Sequence, residues 1–128
     1  MKILIAEDDF ATRKLLFNLL KDYGECDLTV DGLEAVEAFM LARKEKEPYD
    51  LVCLDIMMPK VDGTSALRAI REIEKDQKVE KPVKVIIVSA LDEQEIVEES
   101  FSKGSVSYAV KPLDTEKFIQ VVKKLLKL

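Results

Sequence analysis

Residues 2–10, KILIAEDDF, hold the grammar of the whole chain in one short stretch. An apolar run stops at three consecutive carboxylates, Glu7, Asp8 and Asp9, and a different periodicity begins after them. Residues 2–6 have the length and character of a short buried strand. Asp9 is placed to cap a helix whose apolar positions Leu15, Leu16, Leu19, Leu20 and Tyr23 recur at helical spacing, with Gly24 as its expected stop. Three adjacent carboxylates repel one another, and their pKa values rise unless a positive charge is at hand. They are either solvated turn and cap residues or the ligands of a cation.

The same pattern recurs outward from this point. ECDLTV (25–30) reads as a second, more exposed strand. DGLEAVEAFMLARKEKE (31–47) is a helix opened by Asp31, with Glu34 three residues on in a capping-box arrangement, and stopped by Pro48. DLVCLD (50–55) is a buried strand that again ends in an acid. The loop MMPKVDG (57–63) is marked by Pro59 and Gly63 and leads into the helix TSALRAIREIEKD (64–76). A polar connection, QKVEKP (77–82), precedes the strong strand VKVIIVSA (83–90). Asp92 and Glu95 repeat the capping box for a helix over EQEIVEESFSK (93–103), closed by Gly104. VSYAV (106–110) is the last strand, KPLD (111–114) a turn, and Asp114 caps a final helix with the face Phe118, Val121, Val122 and Leu125. Five strand–helix units with β-branched strands predict an α/β fold: a single doubly wound (βα)5 domain over residues 1–128, with a parallel sheet covered by helices on both faces. Ligands of such sheets bind beyond the carboxyl ends of the strands, where the strand order reverses.

Composition narrows the chemistry. The chain has 128 residues, 48% of them hydrophobic and 35% charged, an ordinary globular mixture. Its net charge of −5, without a basic stripe, argues against direct nucleic-acid binding. The apolar runs are too short for membrane insertion and no signal peptide is evident, so a cytoplasmic protein is expected. There is no histidine, and Cys26 and Cys53 form no CxxC pair. This excludes a Cys/His zinc site, a histidine general base and every Ser-His or Cys-His mechanism. Carboxylates, hydroxyls, lysines and a metal remain.

A parallel sheet gathers distant residues at one edge. Strand one delivers Glu7, Asp8 and Asp9, strand three Asp55, strand four Ser89, and strand five is followed by Lys111. Acids from neighbouring strands make a hard oxygen site suited to Mg²⁺, a lysine offers a compact positive charge to phosphate, and a hydroxyl can donate to a phosphoryl oxygen. Together they are a phosphoryl-transfer constellation, with Asp55 as the nucleophile of an aspartyl phosphate. Taken singly, each has an ordinary reading as a cap, a turn acid, a loop hydroxyl or a surface lysine. Their joint placement at four strand ends is what carries the argument.

With ILIAEDD, DLVCLDIMMPKVDG, VIIVSA and SYAVKP in this order and spacing, essentially the whole chain resembles the receiver domains of two-component response regulators. The resemblance implies a flavodoxin-like sheet of order 2-1-3-4-5, which places Cys26 and Cys53 on strands separated by strand one, too far apart for a disulfide. It implies Asp55 as phospho-acceptor, and Mg²⁺ held by Asp8 directly, by Glu7 through water, by Asp55 and by the backbone carbonyl of Met57. An alternative pairing of Asp8 with Asp9 fits the spacing from strand one less well. Ser89 and Tyr108 match the family's switch residues, Lys111 the phosphate-pairing lysine, and Pro112 the position of a cis peptide. Met57 and Leu91 stand where the family controls water access to the phosphate; apolar side chains there imply slow self-dephosphorylation.

The implied partners are a sensor histidine kinase or histidine phosphotransfer protein as donor. A downstream protein would dock on the face of the fourth helix, fifth strand and fifth helix, with residues 92–110 forming much of it. The expectation is a stand-alone signalling switch that assists its own phosphorylation rather than an enzyme acting on a separate substrate. A docking module that is never phosphorylated is disfavoured by the full set of acids, Ser89 and Lys111. A small aspartyl-phosphate phosphatase resembling the haloacid dehalogenases needs an acid two residues after the nucleophile, where Met57 stands. A flavin-binding domain needs a phosphate loop after strand one, where EDDFATRK is repulsive to phosphate without a metal.

Overall fold

In the computed structural model, residues 1–90 and 106–128 are described. Five parallel strands, β1 (Lys2–Ala6), β2 (Glu25–Thr29), β3 (Leu51–Asp55), β4 (Lys84–Ala90) and β5 (Val106–Lys111), form one sheet in the order β2-β1-β3-β4-β5. Helices α1 (Phe10–Leu20), α2 (Gly32–Lys44), α3 (Gly63–Asp76) and a C-terminal helix (Thr115–Leu126) complete the described elements. The helix expected over 93–103, its Asp92/Glu95 box, its stop at Gly104 and Leu91 lie outside the described residues. The doubly wound α/β expectation and the 2-1-3-4-5 order both hold.

Strand alternation sorts the core into two layers. Leu4, Ala6, Val52, Leu54, Val85 and Ile87 pack with Ala35 and Phe39 of α2 and Ala66 and Ile70 of α3. Ile3, Ile5, Leu51, Cys53, Ile86 and Val88 pack on the other face with Leu16 and Leu20 of α1 and Phe118 and Val122 of the C-terminal helix. Both cysteines are free, Cys26 on β2 and Cys53 on β3, with β1 between them.

The caps are those read from the sequence. Asp9, Asp31 and Asp114 accept backbone N–H bonds from Thr12, Glu34 and Lys117 at 2.9, 2.8 and 3.2 Å. Glu34 reaches back to the Val30 amide at 3.0 Å, one residue short of the usual capping-box partner. Asp62 caps α3 through the Ser65 amide at 2.8 Å, so that helix starts one residue earlier than expected, at Gly63.

Two helix stops differ from expectation. Helix α1 ends at Leu20, not at Gly24. A Cβ at Gly24 would lie 2.5 Å from the Met1 carbonyl oxygen, so this glycine serves the close approach of the chain start rather than the helix end. Helix α2 ends at Lys44, and Lys46 at φ 63° turns the chain in the left-handed region before Pro48 is reached.

The amino-terminal rim of the sheet is stitched by polar contacts. The Met1 carbonyl accepts from Glu25 N at 3.0 Å, and Lys2 N donates to Asp50 Oδ2 at 2.8 Å. Buried Glu74 accepts from Val83 N and from Arg71 Nη1, each at 2.6 Å, which ties the end of α3 to the entry of β4. Among the described residues no helix is long and apolar enough to cross a membrane.

Removing the Glu74 carboxylate strands a buried amide and a half-buried guanidinium. Glu74→Ala is expected to lower unfolding free energy by about 2–4 kcal/mol in urea titrations, with Glu74→Gln losing less.

Candidate phosphoryl-acceptor site

Parallel register brings the acids together. Ala6 pairs with Leu54 and Asp55 with Val88, so Glu7 and Asp55 are level at the carboxyl ends of β1 and β3, one strand spacing apart. Ser89 follows one residue beyond Val88, and Ala90 pairs with Lys111 on β5. Glu7, Asp55 and Lys111 share the alternation of the face covered by α1 and the C-terminal helix, which aims all three into one crevice.

Glu7 is fully buried and Asp55 nearly so, while Asp8 is exposed. Carboxylate oxygens of the three lie within 4.8 Å of one another. Lys111 Nζ sits 3.0 Å from Glu7 Oε1 and 3.3 Å from Asp55 Oδ1. Burial pushes the Glu7 carboxyl up to about 8, helped by the adjoining Asp55 and opposed by Lys111. For Lys111, burial works against the ammonium, but the bond to Glu7 and the charges of Asp55 and Glu7 outweigh it and raise its pKa. One ammonium against two buried carboxylates and an exposed third leaves an excess of negative, oxygen-rich ligands open to solvent on the Asp8 side. That donor set fits a hard divalent cation that keeps part of its water shell, as Mg²⁺ does.

Asp9 stands apart from this group. Its carboxylate is taken by the Thr12 amide and hydroxyl, at 2.9 and 2.7 Å, and these bonds hold its pKa below the usual value. Ser89 Oγ is buried with no hydrogen-bond partner among the described residues. Met57 lies in the loop after β3 with its side chain 63% exposed. Tyr108, on β5, is 45% exposed and lines a groove of about 420 Å³ with Val110, Pro112, Lys117 and Val121. The Lys111–Pro112 peptide is cis.

Sequence reasoning passed over two residues of this site. Arg13 Nη1 donates to the carbonyls of Glu7 and Asp8 at 2.9 and 3.3 Å, tethering the acidic loop to α1. A cation so near a helix start opposes the macrodipole, and that misplacement was the available signal. Gly63 is the other: a Cβ there would fall 2.1 Å from the Asp55 carbonyl oxygen, so only glycine lets α3 begin against the end of β3.

Comparison with known proteins gives one consistent family. Residues 3–123 match the family model described as response regulator receiver domain. The chain is 36% identical over 129 residues to chemotaxis protein CheY of Treponema pallidum, covering 98% of this chain and 83% of that one. It is 36% identical over 132 residues to hybrid signal transduction histidine kinase B of Dictyostelium discoideum, of which it spans only 6% while 96% of this chain is covered. Among solved structures, the CheX-CheY-BeF3-Mg+2 complex from Borrelia burgdorferi matches with a TM-score of 0.78 and 34% identity, over 98% of this chain and 88% of that one.

The raised pKa of Glu7 gives a pH signature. An acid whose folded pKa lies above its unfolded value stabilises the fold most below about 4.5, and that contribution is lost as pH climbs towards 8. In metal-free protein, Glu7→Gln is therefore expected to gain melting temperature over wild type by about 3–6 °C at pH 8 and by much less at pH 5. Differential scanning calorimetry in chelator checks this; an equal gap at both pH values contradicts it.

Proposed function

The chain belongs to the response regulator receiver domain family of two-component signalling, and from this premise we infer that it is a switch controlled by phosphorylation of Asp55. The observation that carries the reading is the convergence of Glu7, Asp8 and Asp55 with Lys111 bridging the two buried acids. The reaction class is phosphoryl transfer. A carboxylate oxygen of Asp55 forms the new P–O bond while the P–N bond of a partner's phosphohistidine breaks, and the departing imidazole keeps that electron pair and takes up a proton. The donor is a sensor histidine kinase or a histidine phosphotransfer protein.

Glu7, Asp8, Asp55 and the carbonyl of Met57 would hold Mg²⁺, which supplies charge neutralisation to the transferring group. Asp8, facing solvent, would be the direct ligand, and buried Glu7 would act through water. Lys111 is poised to leave Asp55 for a phosphoryl oxygen without leaving the crevice. Ser89, a buried hydroxyl lacking a partner among the described residues, gains one when it donates to the phosphoryl group. Tyr108, half-exposed here, then turns inward, altering the surface of β5 and the C-terminal helix where a downstream protein docks.

Incubation with Mg²⁺ and acetyl phosphate should add the mass of one phosphoryl group to the intact protein. The gain should vanish in Asp55→Asn or with chelator. The same gain in Asp55→Asn would overturn the assignment. Met57→Asn, which sets a water-orienting amide beside the acceptor, should shorten the lifetime of the phosphorylated form several-fold in a phosphate-release time course. An unchanged lifetime would show that the Met57 side chain does not limit hydrolysis.

A further inference from the structure

Helix α2 carries apolar residues on both sides. Ala35, Phe39 and Ala42 face the core, while Leu33, Met40 and Leu41 are 42%, 52% and 54% exposed. At 100° per residue, Leu33, Glu37, Met40 and Lys44 form one stripe opposite the buried side, and Leu41 flanks it. An outward apolar stripe serves no purpose within one chain, because α2 already buries its inner face against β1 and α3.

The charges on the stripe identify its occupant. Glu37 and Lys44 are both exposed, and among the described residues neither is in a salt bridge. They cannot reach each other, since seven residues separate them by about 10.5 Å along the helix. The neighbouring cation, Arg43, is already engaged by the side chain of Gln77. Set a second copy of α2 antiparallel to the first, with a two-fold axis passing between residues 40 and 41. Residues whose numbers sum to 81 then stand at the same height. Glu37 meets Lys44 of the second copy, Lys44 meets its Glu37, and Met40 meets its Leu41. One operation pairs both charges and covers Met40 and Leu41, as an isologous interface requires. Met40, Leu41, Arg43 and Gln77 also line a groove between α2 and the end of α3, which offers room to a Met40 or Leu41 of the opposing helix.

We propose that the outer face of α2 is a self-association surface, on which two copies of this chain pair antiparallel through Met40 and Leu41 between reciprocal Glu37–Lys44 ion pairs. A single helix face buries less than the roughly 800 Å² per partner of a stable complex, so the dimer is weak and depends on concentration. It requires no phosphoryl group and stands independently of the function inferred above.

Charge exchange tests it. In sedimentation velocity from micromolar to near-millimolar concentration, wild type should move from monomer towards dimer. Glu37→Lys and Lys44→Glu alone should each weaken association by about tenfold or more, because both ion pairs become like-charge contacts. An equimolar mixture of the two single variants should associate again as a heterodimer, and the double exchange Glu37→Lys/Lys44→Glu should recover wild-type behaviour. Both positions are exposed and outside the core, so folding, checked by thermal melts, should be unaffected. A wild type that stays monomeric throughout, single variants that associate as wild type does, or a mixture that fails to associate would each overturn the proposal.

Discussion

Two buried carboxylates, Glu7 and Asp55, stand one strand spacing apart and share a single ammonium, and much of the structure exists to keep them there. Such a pair is electrostatically costly and persists only because its surroundings fix it on every side. Hydrogen-bonded register between β1, β3 and β4 sets the separation, and β5 returns Lys111 from the far edge to meet both acids. Gly63 lets α3 press against the Asp55 carbonyl, and Arg13 fastens the carbonyls of the acidic loop. The crevice is held ready for positive charge rather than relaxed around its own.

Most of this was legible in the residues because strand ends in a parallel sheet are a reliable meeting place. The runs KILIA, LVCLD and VKVIIVSA are mostly apolar and lead at their carboxyl ends to Glu7, Asp55 and Ser89, which forecasts both the sheet and the edge where polar groups gather. Asp9, Asp31 and Asp114 were readable as caps because an acid before an apolar periodicity has few other uses. The fold order itself came from family resemblance, since alternation of strands and helices does not choose among doubly wound sheets.

What escaped the sequence depended on close approach between segments far apart in the chain. Gly24 reads as a helix stop, yet its small size answers to Met1; Gly63 reads as a loop residue, yet it answers to Asp55. No local pattern reports a carbonyl arriving from elsewhere. Likewise, Arg13 looks like a surface cation until the loop it holds is seen. The outward apolar residues of α2 were visible as letters, but only the buried face opposite shows that they are surplus to the core.

The contacts that hold the sheet shut and the groups that carry its chemistry occupy opposite rims. Met1, Lys2, Asp50, Glu74 and Val83 bind the amino-terminal rim, far from the crevice. For protein engineering this sets a preference. A purification handle joined ahead of Met1 emerges from the seam that seats Gly24 and Glu25, whereas one joined after Leu128 leaves from an exposed residue that takes no part in that seam's hydrogen bonds.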